Sequence, residues 1–222
     1  MPVSPVLVPS HSVFLAIDLQ ERLLANMESS SELVAGVDLM QHVCHLLQVP
    51  VVHLMQRPDV LGAVHSTLAK GEIAATVEKK AFSPFAEDGP RRFLESFEAE
   101  QWVLCGIESH VCVLQTARDL LRMGKHVVVL ADACASFSIY DYASALSELR
   151  HEGARVCSIQ TLIFDWLKRS DHPAFKTILQ WVKQMNHASG IGFSSGCGCS
   201  EGEKTSCGSS ETKAASCCLS HA

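Results

Sequence analysis

Short apolar runs alternate with amphipathic helical stretches along most of the chain, and that alternation leaves few folds open. Val13 to Asp18 (VFLAID) is apolar up to a closing carboxylate, the pattern of a strand buried on both faces whose end emerges at a sheet edge. Ser31 to Gln48 then repeats Leu33, Val37, Met40, Val43, Cys44 and Leu47 at helical spacing, and Val49 to Met55 reads as the next strand. Ala75 to Phe82 alternates weakly, as a short exposed strand would, with Lys79 and Lys80 on opposite faces. Helix over Pro90 to Glu98, strand over Gln101 to Gly106, helix over Ser109 to Arg122 and strand over His126 to Ala131 continue the series. Helix over Asp141 to His151, strand over Ala154 to Ile159, and helical segments at Leu162 to Trp166 and Pro173 to Met185 complete it. Buried strands interleaved with helices predict a doubly wound α/β domain: a mostly parallel sheet with helices on both faces, a three-layer Rossmann-like sandwich. Ligands of such sheets bind beyond the strand C-terminal ends, and Asp18 and the turn after Gly106 both belong there.

Composition changes sharply near the end. Residues 1–186 carry the alternating pattern, whereas 187–222 are dominated by Ser, Gly and Cys and bury too little apolar surface to offset the entropy of ordering. A folded domain followed by a disordered tail is expected. The net charge of -6, with basic residues scattered singly, offers no footprint for nucleic acid. Without a leader-like N-terminus or an apolar run of spanning length, a soluble cytoplasmic protein with no membrane partner is expected.

Of ten cysteines, Cys44, Cys105, Cys112, Cys134 and Cys157 stand singly in apolar surroundings, as reduced thiols of a core do. Cys112 differs in position. It follows a buried strand and a glycine turn, in the first turn of a helix that Ser109 would cap, where the helix dipole favours thiolate and free amides could hold an oxyanion. Spacing alone leaves this reading beside a plainer one, a small apolar residue under a helix, which is what most free cysteines are.

The segments FLAIDLQ around Asp18, EKKAFSPF around Lys79, CGIESHVCVLQTARDLL around Cys112 and VVVLADACAS around Asp132 resemble, in order and spacing, the isochorismatase-like hydrolases, and among them the isochorismatase-domain-containing group of unassigned substrate. The resemblance implies a triad of Asp18 as proton carrier, Lys79 (with Ser83 setting the register against Lys80) as charge stabiliser and Cys112 as nucleophile. It further implies a cis peptide between Ile107 and Glu108, an oxyanion hole from the Val111 and Cys112 amides, and polar pocket positions at Gln20 and Gln56. Asp132 is expected to fix loops rather than react. A nucleophilic cysteine points away from vinyl-ether hydrolysis of isochorismate and toward cleavage of a C–N bond in a small molecule through a thioester, with no cofactor. The resemblance also implies a homo-oligomer, and a pocket shaped by loops such as Arg57 to Gly71 and Ser136 to Tyr142.

Other readings stay open at this point. The nicotinamidase branch holds a metal with closely spaced Asp and His residues after the second strand, whereas here His53, Asp59 and His65 are spread through HLMQRPDVLGAVH. A ribonuclease is disfavoured by the acidic charge. A non-catalytic protein binding a partner or a soft metal would use the tail thiols Cys197, Cys199, Cys207, Cys217 and Cys218, although these lack paired C-x-x-C spacing.

Overall fold

A computed structural model describes residues 6–27 and 30–188. The tail cysteines therefore lie outside the described residues. Six parallel strands, β1 (Ser12–Ile17), β2 (Val51–Gln56), β3 (Ala75–Lys79), β4 (Gln101–Ile107), β5 (His126–Ala135) and β6 (Arg155–Cys157), form one sheet in the order β3-β2-β1-β4-β5-β6. The helices are α1 (Glu21–Leu24), α2 (Ser30–Leu46), α3 (Pro58–Leu61), α4 (Asp88–Glu95), α5 (Leu114–Arg122), α6 (Ile139–His151), α7 (Ile159–Leu167) and α8 (Phe175–Ala188). Among the described residues no helix is long and apolar enough to cross a membrane.

Strict alternation along the central strands divides the core into two layers. Phe14, Ala16, Val103 and Cys105 pack toward α2, α7 and α8, while Val13, Leu15, Trp102 and Leu104 pack toward α4, α5 and α6. Both faces of β1 and β4 are covered, and the polar residues that open them, Ser12 and Gln101, are buried but hydrogen-bonded to each other, leaving the rest of each strand apolar up to its end. The expected doubly wound sheet is present. Winding outward from β1 to β3 and then from β4 to β6 puts the reversal between β1 and β4, and the crevice at their carboxyl ends is where this architecture holds ligands.

Two elements differ from the sequence reading for tertiary reasons. β5 runs on to Ala135 instead of stopping at Ala131, because a bulge against β4 lets Cys134 and Ala135 pair with Gly106 and Ile107. β6 is only three residues long, because the Ser158 hydroxyl accepts the Thr161 amide and starts α7. Asp132, mid-strand, accepts the Ile159 amide at 2.8 Å and thereby anchors α7, in keeping with its expected loop-fixing role.

One buried polar group makes stability depend on pH. His53 on β2 sits beside Ala16, is fully buried, and among the described residues neither ring nitrogen has a hydrogen-bond partner. Burial pushes its pKa down to about 4. Between that value and the ordinary histidine value near 6.5 the unfolded chain binds a proton that the folded chain refuses, so stability falls as pH drops through that window. The loss should approach about 3 kcal/mol. His53→Leu should flatten this slope, read as the shift in urea midpoint between pH 7 and pH 4.5; an unchanged slope would contradict the assignment.

Candidate active site

The end of β1 and the turn after β4 meet through one close approach. Gly106 pairs with Ile17 and has φ of 122°. A Cβ there would lie 2.0 Å from the Ile17 carbonyl oxygen. The next residue on β1 is Asp18, whose own φ of 56° is left-handed, a conformation aspartate accepts more readily than most residues. This kink ends the strand and leaves the carboxylate side chain 1% exposed at the sheet's C-terminal edge.

Lys79 closes β3, an edge strand whose residues alternate outward and inward until this last one is buried. Lys80 is exposed, so the two-residue period alone separates the pair. The Lys79 ammonium donates to Asp18 Oδ2 at 2.8 Å and to Gln56 Oε1 at 2.7 Å. Gln56 also gives its side-chain amide to the Lys80 carbonyl and its backbone N–H to Gln20 Oε1, and Gln20 in turn donates to the Gly62 carbonyl. Gln56 thus engages both backbone and Lys79, and Gln20 holds Gln56 through the Gln56 backbone N–H. Gln56 braces the lysine directly and Gln20 through Gln56, an arrangement that their position in the sequence could not reveal.

Cys112 lies in a wide π-helical turn, Ser109–Val113, that leads into α5; such turns occur frequently at functional sites. The Ile107–Glu108 peptide before it is cis. Ser109 does not cap this segment: its hydroxyl donates to the Ala135 carbonyl at 3.0 Å, an acceptor made available by the extension of β5. The Val111 amide is engaged with the Glu108 carbonyl at 3.1 Å and would have to exchange that partner to hold an oxyanion.

The thiol is 6% exposed and interacts with both Asp18 and Lys79. Its electrostatics correct the expectation of a lowered pKa. Burial, and then the Asp18 carboxylate, push Cys112 up to about 12, with Lys79 pulling the other way. Burial likewise raises Asp18 above its ordinary value against the opposing pull of Lys79 and of hydrogen bonds from Cys112 and Lys79. Burial thus holds the thiol protonated and raises the carboxylate's affinity for a proton, so the two acids around one ammonium titrate as a coupled pair. Asp18 Oδ1 is buried without a conventional hydrogen-bond partner among the described residues, so the carboxylate has an oxygen available to receive that proton.

The Asp18–Lys79 pair is also a stability device. Lys79→Met would leave a buried carboxylate uncompensated, at a cost of about 3–5 kcal/mol. Because Asp18 would then be stable only when protonated, the deficit should grow as pH rises. Adding Asp18→Asn should recover most of it. Denaturant unfolding of the single and double variants at pH 5 and pH 8 tests this, and a deficit insensitive to both pH and Asp18→Asn would refute it.

Beside the Cys112 turn is a cavity of about 530 Å³, walled on one side by the segment that follows Leu24 and on the other by the β5–α6 connection. Its aromatic lining residues, Phe137 and Tyr142, were not singled out by the sequence; the loop containing them was. The five cysteines of the described region are all free thiols. His53, Asp59 and His65 are not brought together, since His53 is buried in β2 without a hydrogen bond and Asp59 pairs with Arg57 on the surface. Among the described residues no group of three His, Cys, Asp or Glu side chains is placed to share a metal ion.

Residues 12–161 match the isochorismatase domain. The chain is 34% identical over 183 residues to the secreted isochorismatase effector Isc1 of Phytophthora sojae, covering 80% of this chain and 87% of that protein. It is 34% identical over 190 residues to isochorismatase domain-containing protein 2A of Mus musculus, covering 83% and 89%. Among solved structures it resembles the MAR1 ribonuclease from Caenorhabditis elegans, with a TM-score of 0.75, 29% identity, and coverage of 81% of this chain and 93% of the other.

Proposed function

The chain belongs to the isochorismatase-like hydrolase family, and from that premise we propose that it hydrolyses a C–N bond of a small amide-type substrate with Cys112 as nucleophile. The observation that carries this reading is the buried contact among Asp18, Lys79 and Cys112, with the 2.8 Å ion pair at its centre. A lysine and an aspartate that merely stabilised the fold would have no reason to enclose a thiol at the crevice of the sheet.

The proton held between thiol and carboxylate defines the steps. Asp18 takes the proton from Cys112 as sulfur attacks the carbonyl carbon, so thiolate forms only while it is being consumed. The oxyanion is stabilised by the Lys79 ammonium and by backbone amides of the Cys112 turn. Asp18 returns the proton to the leaving nitrogen as the C–N bond breaks, giving free amine and a thioester. Water, deprotonated by Asp18, then attacks the thioester, and as the C–S bond breaks Asp18 returns the proton to sulfur, releasing the carboxylic acid and restoring the thiol. The ribonuclease name belongs to the C. elegans relative. Here the candidate site offers one cation, Lys79, already paired with Asp18, which is poor equipment for a phosphodiester.

Acid-quenched mass spectrometry during turnover of small amides, ureides and hydroxamates tests the proposal. An acyl adduct that hydroxylamine removes should map to Cys112. Turnover with no adduct, undiminished when Cys112 is blocked, would overturn the covalent route.

A further inference from the structure

We propose that the cavity beside the Cys112 turn selects an uncharged substrate bearing an aromatic or bulky apolar substituent, with Ser136 reading one hydrogen-bonding group on it. The inference rests on the hydrolase reading above, but its test does not. The cavity wall is tied directly to the turn that carries the thiol: Ser109 donates to the Ala135 carbonyl, and His110 Nδ1 lies 3.1 Å from Ser136 Oγ. The Ala135 and Ser136 part of the wall is thus hydrogen-bonded to residues only three and two positions before Cys112.

Polar and apolar surface share the lining about equally: Met27, Phe137, Ile139 and Tyr142 supply apolar or aromatic groups, and Asn26 and Ser136 neutral polar ones. Phe137 and Ile139 are 55% and 68% exposed, so a bound apolar group would cover surface that the protein leaves to water. None of the described lining residues carries a formal charge. The charges just behind the wall are acidic: Glu108 accepts the Phe137 amide at 3.1 Å, and Asp141 stands 4.0 Å from His110 Nε2. Among the described residues an anionic substituent would find no cation lining the cavity and two carboxylates behind it, whereas a neutral ring meets Phe137 and Tyr142.

Ser136 supplies the adaptable contact nearest the Cys112 turn. Its hydroxyl bonds to His110, whose ring is bracketed on the far side by Asp141. A hydroxyl engaged once still has capacity for a second hydrogen bond, and the fixed imidazole sets its direction.

Alkylation of Cys112 tests the selection without requiring turnover. Rates with N-phenyl iodoacetamide, its para-carboxylate analogue and iodoacetamide are measured by peptide mass spectrometry and normalised to a free thiol. The neutral phenyl reagent should outpace its carboxylate analogue by about 10-fold or more. Phe137→Ala should remove most of the phenyl reagent's advantage over iodoacetamide while leaving the iodoacetamide rate in place. Ser136→Arg should bring the carboxylate analogue to parity or beyond. Equal rates for the neutral and carboxylate reagents, or a phenyl preference that survives Phe137→Ala, would overturn the inference. If the labelling pattern appears but no amide ever acylates Cys112, the hydrolase reading fails and the cavity assignment stands.

Discussion

Cys112→Ala is expected to lower kcat by at least about 10³-fold, because the variant retains binding and polarisation but has no atom to form the covalent intermediate. The fold should survive. The substitution removes one sulfur from a site at the margin of the core, a change of about 1 kcal/mol, so a melting curve close to wild type separates lost chemistry from lost structure. Cys157→Ala, on edge strand β6, serves as the control and should retain activity. The pH profile carries a second signature. With Cys112 pushed up to about 12 and Asp18 also raised, the competent state is the one holding a single shared proton. Activity should fall on the acid side as Asp18 becomes protonated above the usual carboxylate value. It should show no ascending limb near 8.5, where an exposed thiol titrates. Such a limb would mean that thiolate forms by losing its proton to solvent, and the internal transfer to Asp18 would be wrong.

The residues of this site were legible to different degrees, and the differences have physical causes. Asp18 could be recognised because a carboxylate closing an apolar run has only the sheet edge to occupy. Alternation on a strand put Lys79 and Lys80 on opposite faces, the family resemblance with Ser83 in register chose Lys79, and the structure buries the first and exposes the second. The charge state of Cys112 could not be read locally. A helix start favours thiolate, but β1 contributes a buried carboxylate from a position 94 residues earlier by the numbering, and burial outweighs the local dipole. Ser109 failed as a cap for a similar reason, since its acceptor, Ala135, is 26 residues away on a strand extension that exists only through pairing with β4. Gln20 and Gln56 were recognisable as polar residues near the site, whereas their bracing of Lys79 depends on Gly62 and Lys80 carbonyls supplied by other loops. Periodicity reports which face a residue occupies; the partner on that face comes from the tertiary fold.

Gly106 is where that dependence is sharpest, and Gly106→Ala should be the most destabilising single methyl addition in the described core. Two penalties coincide there. At φ of 122° the backbone is in a region that residues with a Cβ rarely adopt. The added carbon would also sit 2.0 Å from the Ile17 carbonyl oxygen and 2.8 Å from the Ile17 nitrogen and carbonyl carbon, all backbone atoms of a central strand with no rotamer to change. Relief requires β1 and β4 to separate at the crevice, and Ile17 is fully buried, so the movement would disturb both core layers. A loss of about 5 kcal/mol or more is expected, comparable to the whole stability of many domains. Gly124→Ala is the informative comparison. Gly124 also has positive φ, 73°, but a Cβ there meets nothing within 4 Å, so only the conformational penalty of about 1 kcal/mol applies. Chemical denaturation of the two variants isolates the close approach, and similar stabilities would show that β1 and β4 do not meet as described. Any Gly106→Ala protein that does fold should also alkylate Cys112 abnormally, because the residue after Ile17 is Asp18, and a strand displaced at that point carries the proton acceptor away from the thiol.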